Sequence, residues 1–207
     1  MTATSRLTDP RVRLALGVAG MAATAAVVRR DRVGPREASV FRAVNRLPDG
    51  LFAPAWVVMQ LGTVGAAPAA AAAALAAGER QLARRLLAGG TAGWALSKVV
   101  KRGIRRPRPS ALLPDARRRG QEATGLGYLS GHAAVAVALG TAVLPRVHGA
   151  RRVAVVAAVP VVGLCRIYVG AHLPLDVVGG AALGLAVEAV AGLWPGGLGT
   201  RKGRGPA

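Results

Sequence analysis

Long uncharged runs alternate with short basic ones along the whole chain, and the runs have the length and composition of helices in an apolar medium. Residues 14–28 carry no charge and are bounded by Arg13 and Arg29. This run is short for a full crossing, and small residues near Ala25 also resemble a secretory cleavage site. A retained first helix is the preferred reading over a signal peptide, because the later segments need a matched bundle. Residues 30–50 are polar and mixed in charge, and predict a loop with a short interfacial helix around Val40–Val44. Residues 51–78 contain no charge and form the clearest predicted span, with a strongly helix-forming stretch at Ala69–Ala74. Residues 86–97 predict a third span whose last turn carries Lys98 and Lys101. The fourth, 130–145, opens on Ser-Gly-His. The fifth, 153–165, contains Pro160. The sixth, 173–194, is interrupted by Asp176 and Glu188.

The pattern therefore predicts an all-α, multi-pass transmembrane helical bundle of about six spans. Residues 1–50 form an N-terminal segment, 51–195 the core, and 196–207 a basic, disordered tail. Six spans put both termini on one side. They bring the 98–129 and 166–172 loops together on the opposite side.

Composition supports a membrane environment. Hydrophobic residues are 52% of the chain, charged residues only 18% and aromatics 3%, so Ala, Val, Leu and Gly supply the apolar mass. Small residues let membrane helices approach closely. The net charge of +19 calls for anionic partners. Long uncharged runs argue against nucleic acid and for membrane lipids and a phosphorylated substrate. Cys165 is the single cysteine, so no intrachain disulfide can form, and neither CxxC nor HExxH occurs. No metal or other cofactor is expected.

Three clusters can carry chemistry. His172 and Asp176 are four apart, so on a helix the carboxylate could accept a hydrogen bond from the imidazole. That bond would fix the tautomer and leave the other ring nitrogen free to attack. Arg166 lies just before them, and its planar fork suits phosphate oxygens. Ser130, Gly131 and His132 open a helix whose N-terminal N–H groups can receive an anion, with His132 placed to protonate a leaving oxygen. Lys101 and Arg108 add two cations at the end of another helix. Phosphoryl transfer needs such a set: cations and N–H donors around the equatorial oxygens, and a nucleophile in line with a protonated leaving group.

Together these clusters resemble the KxxxxxxRP, PSGH and SRxxxxxHxxxD motifs of the type 2 phosphatidic acid phosphatase family, whose superfamily includes bacterial acid phosphatases. The resemblance spans about residues 50–195. It implies that Lys101, Arg108 and Arg166 bind phosphate and that Ser130 and Gly131 donate hydrogen bonds to it. It implies His132 as general acid, His172 as the residue that becomes phosphorylated, and Asp176 as the group that orients it. Leu129 replaces the family's proline and Cys165 its serine; neither carries the chemistry. The implied substrate is a lipid phosphate or diphosphate, cleaved without a cofactor at a cell-membrane site facing outward. The basic residues divide almost evenly between the two faces and do not choose an orientation.

Two other readings use the same residues. A hydroxyl acceptor in place of water would make a lipid phosphotransferase, and a damaged site would leave a non-catalytic protein that binds anionic lipid. Elsewhere, Arg117–Arg119 read as a solvated charge run. Arg102, Arg105 and Arg106 read equally as lipid-headgroup ligands or as anchors of the loop. Glu188 reads as an interfacial carboxylate, and Trp56, Trp94 and Trp194 as an interfacial belt.

Overall fold

The computed structural model describes residues 9–121 and 124–193; the tail, 196–207, and Trp194 lie outside the described residues. Helix α1 (Pro10–Arg30) starts where Asp9 accepts a hydrogen bond from the Arg11 amide at 2.8 Å, with proline in the first turn, and ends on Arg29 and Arg30. Helix α2 (Pro35–Asn45) is amphipathic and buries Glu37, Ala38, Phe41 and Asn45 on one face. This is the short helix expected around Val40–Val44, extended at its N-terminus.

The long uncharged run does not form one straight helix. A 3₁₀ turn (Asp49–Leu51) leads into α3 (Phe52–Met59), a second turn follows at Gln60–Gly62, and α4 (Ala66–Ala76) leaves at 68°. Thr63 is extended at φ −74° and ψ 160°, between Gly62 and Gly65, which are poor helix formers. An uncharged composition made 51–78 read as continuous; its glycines break it.

Helix α5 (Arg80–Ile104) ends at Arg105, whose φ is 55°. A single turn, α6 (Pro109–Leu112), follows, then α7 (Gly131–Val143), α8 (Gly149–Tyr168) and α9 (Pro174–Leu193). All six apolar runs are helical. Among the described residues, only α1 and α9 are long and apolar enough to cross a membrane alone, with the bent α3–α4 pair as a third. At 13 residues, α7 is about 20 Å long, short of a hydrocarbon core. Helix α5 carries arginines at both ends and lysines at its C-terminal end.

Helix α7 is the centre of the bundle, flanked by α5, α8 and α9. Its buried residues, including Ala133, Ala134, Ala136, Ala138 and Ala142, are small enough for its neighbours to approach. Helix α1 lies along α9. A Cβ at Gly17 would fall 2.7 Å from the Ala182 carbonyl oxygen, so this contact requires glycine. The N-terminal helices are thus part of the bundle.

Glu188 departs from expectation. It is 1% exposed and ion-paired to Arg13 at 3.0 Å and to Arg85, tying α9 to α1 and α5. Near a span end, two inward-reaching arginines make burial affordable for its charge. Arg119 is likewise not solvated. It donates to Asp49, Asn45, Leu47 and Tyr168 and lies over the Tyr168 ring at 4.3 Å. Trp56 and Trp94 are exposed, as a belt requires, and Lys98 sits 5.2 Å from the Trp94 ring centre.

Candidate active site

The C-terminal turns of α5 and α8, the N-terminal turns of α7 and α9, and the described residues of the 105–130 loop converge at one end of the bundle. There the fold gathers all eight residues singled out in the sequence. Arg108, His132 and Arg166 line a cavity of about 330 Å³ with Phe52, Trp56 and Gln60. Lys101, Ser130, His172 and Asp176 are buried behind this wall.

His172 precedes α9 instead of lying on it, because Pro174 starts the helix. The four-residue spacing still pairs it with Asp176, at 3.5 Å from Nδ1 to Oδ2. That is ion-pair range, not a formed hydrogen bond. On the other side, Arg108 donates to Nε2 at 3.0 Å and to the Ala171 carbonyl at 2.6 Å. With Nε2 accepting, the ring proton belongs on Nδ1, facing the carboxylate. Burial, followed by the charges of Lys101, Arg108 and Arg166, holds the His172 pKa well below the ordinary histidine value. The imidazole is therefore neutral, as a nucleophile must be.

Asp176 is fully buried. Its Oδ2 accepts the Leu173 amide at 2.9 Å and its Oδ1 accepts from Arg106 at 2.7 Å. Its backbone carbonyl takes the Ser130 amide at 2.8 Å, joining the start of α9 to the start of α7. The Ser130 N–H is thus already used, and its Oγ accepts the Ala133 amide at 3.4 Å as the N-cap of α7. Its hydroxyl proton remains the donor it can offer.

Lys101 donates to the Leu126 and Gly127 carbonyls at 3.1 and 2.8 Å, which leaves one of its three protons. This stitches the α5 end to the loop before Ser130. The Gly127 amide donates to the Arg106 carbonyl at 2.7 Å, and a Cβ there would lie 2.6 Å from the Pro107 oxygen, so two motif segments meet at glycine contact. Arg166 reaches Met59 Sδ at 3.4 Å. Arg108 Nε, Arg166 Nε and His172 Nδ1 are buried without a hydrogen-bond partner among the described residues. Unmet buried donors cost about 1–3 kcal/mol each, and an anion in the cavity would answer the two guanidinium ones.

Three important residues escaped the sequence reading. Arg106 is 0% exposed, so it neither meets lipid headgroups nor anchors the loop at the surface. Its partner Glu37 was one of three acids, with Asp31 and Asp49, in a loop of mixed charge. Asn45, 2% exposed, accepts the Arg117 amide at 2.8 Å and donates to the Arg117 and Tyr168 carbonyls at 2.9 Å each, fixing the cavity rim. The apolar pattern around Val40–Val44 announced α2 but not which of its polar residues would be buried.

Comparison with known proteins supports the family resemblance and the fold. A family model described as the PAP2 superfamily matches residues 82–198. No curated protein sequence matches the chain. Among solved structures, the chain is similar to a transmembrane PAP2-type phosphatidylglycerolphosphate phosphatase from Bacillus subtilis, with a TM-score of 0.65 and 20% identity over 85% of this chain and 94% of that one. It is also similar to Aquifex aeolicus LpxE, with a TM-score of 0.60 and 21% identity over 74% of this chain and 92% of that one.

Proposed function

The chain belongs to the PAP2 superfamily, and from that premise we propose that it is an integral membrane phosphatase removing the terminal phosphate of a lipid phosphate or diphosphate. The observation that carries the reading is His172, neutral and buried between Asp176 on Nδ1 and Arg108 on Nε2. A substrate phosphate entering the cavity draws Arg108 and Arg166 onto its oxygens and uncovers the Nε2 lone pair. Nε2 then bonds to phosphorus as the bond to the leaving oxygen breaks, and His132 gives that oxygen its proton. The imidazole becomes cationic, and Asp176 balances the new charge. Water, deprotonated by His132, attacks phosphorus, breaks the P–N bond and releases inorganic phosphate with a neutral His172.

The name of the Bacillus subtilis neighbour makes phosphatidylglycerol phosphate the first substrate to try, with phosphatidic acid and polyprenyl diphosphates beside it. The cavity opens beside exposed Trp56, consistent with a headgroup presented from the membrane boundary on the outward face of the cell membrane. The test is phosphate release from this panel by protein purified in detergent, with EDTA present, wild type beside His172→Ala. Release by the wild type that disappears in the variant supports the reading. Equal release by both, or none from any lipid, overturns it.

A further inference from the structure

We propose that Glu37 and Arg106 are positioning residues for the reaction, forming with Asp176 a buried relay of alternating charge that ends at His172; this rests on the phosphatase reading above. Arg106 is completely buried, and all five of its N–H donors are used. Nε and Nη2 donate to the Arg32 carbonyl at 2.8 and 2.5 Å. Nη1 donates to Glu37 Oε1 at 3.1 Å and to Asp176 Oδ1 at 2.7 Å, and Nη2 donates to Glu37 Oε2 at 2.5 Å. Glu37 Oε1 also accepts the Leu175 amide at 2.9 Å, in the first turn of α9. Glu37 therefore holds both the arginine and the turn that carries Asp176.

The charge count gives the cluster a role in the chemical step. One guanidinium faces two carboxylates, so the resting cluster carries one net negative charge beside a neutral imidazole. Phosphorylation of His172 brings a positive charge to the ring, and the cluster then balances it. Without the Glu37 charge, Arg106 would claim Asp176 for itself, and the carboxylate would have less to offer the imidazolium. Burial alone would lower the Arg106 pKa, but the two carboxylates hold it above its ordinary value, so the arginine stays charged throughout. Glu37 lies outside the segment matched by the family model, so the three motifs do not contain this part of the site.

The experiment compares Glu37→Gln, Glu37→Asp and Arg36→Gln with wild type, using the most active lipid phosphate and inorganic phosphate as a competitive inhibitor. Gln keeps the shape of Glu without its charge; Asp keeps the charge with a shorter reach. A relay predicts that E37Q lowers kcat by about tenfold or more, as for loss of a charge-assisted partner, with KM and phosphate inhibition within about threefold. It predicts that E37D retains more activity than E37Q and that exposed Arg36→Gln behaves as wild type. A purely structural contact predicts the reverse order, because E37D disturbs the geometry more. E37Q at wild-type kcat, or E37D worse than E37Q, overturns the relay and leaves the phosphatase reading standing. An inactive wild type overturns both.

Discussion

Replacing Asp176 with Asn tests the electrostatic core of the mechanism. The side chain keeps its size, and an amide oxygen at the Oδ2 position can still accept from Leu173 and face the imidazole, while the bond from Arg106 to Oδ1 is lost. What disappears is a negative charge 3.5 Å from Nδ1 of His172, with both side chains almost wholly buried. Two unit charges at that distance interact by about 5 kcal/mol at an effective dielectric of 20. The amide dipole that replaces the carboxylate recovers roughly 1 kcal/mol. The net of about 4 kcal/mol applies only when the ring is charged, in the transition state and phosphoenzyme, so kcat should fall about 10³-fold. KM should change little, because the proposed phosphate-binding cations Lys101, Arg108 and Arg166 are untouched by the substitution. The assay is steady-state phosphate release in detergent, with kcat and KM resolved and thermal unfolding measured in parallel. A kcat within about tenfold of wild type, or a loss confined to KM, would refute the idea that Asp176 faces a charged imidazole during the reaction.

Other consequences can be checked separately. His172 must be neutral to attack, and burial with the nearby cations lowers its pKa, so the acid limb of kcat/KM due to this group should fall below about pH 6.5, the ordinary histidine value. An acid limb that belongs to His172 and lies above that value would contradict the assigned environment. Glu188→Gln removes the carboxylate shared by Arg13 and Arg85 and should cost about 3–5 kcal/mol, the usual effect of breaking a buried pair. In a melt that is roughly a 10 °C drop in Tm, with inhibition by inorganic phosphate unchanged because the pair lies at the other end of the bundle. Arg119→Ala strips donors from the Asn45, Leu47 and Tyr168 carbonyls at the cavity rim. It should lower stability by about 2 kcal/mol and raise KM more than it lowers kcat.

The sequence by itself determined the all-helical class and the family, and it offered the candidate site. Uncharged runs between basic punctuation read as helices, and all six are helical, although 51–78 is broken into two helices. Lys101, Arg108, Ser130, Gly131, His132, Arg166, His172 and Asp176 were legible because local spacing carries their relationship. The tight turn into α9, where the Asp176 amide donates to the Leu173 carbonyl at 3.0 Å, keeps His172 and Asp176 close although His172 precedes the helix, and Ser130 caps the helix that follows it. Tertiary structure decided what depends on partners distant in the chain. Charge alone cannot separate Arg106 from exposed Arg102 and Arg105; only Glu37, 69 residues away, and Asp176, 70 residues away, make its burial tolerable. Arg119 and Glu188 left their expected surroundings for the same reason: a buried charge is stable only when folding delivers its counter-charge or hydrogen-bond acceptors. The bend after Gly62 also escaped the hydropathy pattern, which records how apolar a segment is but not whether its backbone stays straight.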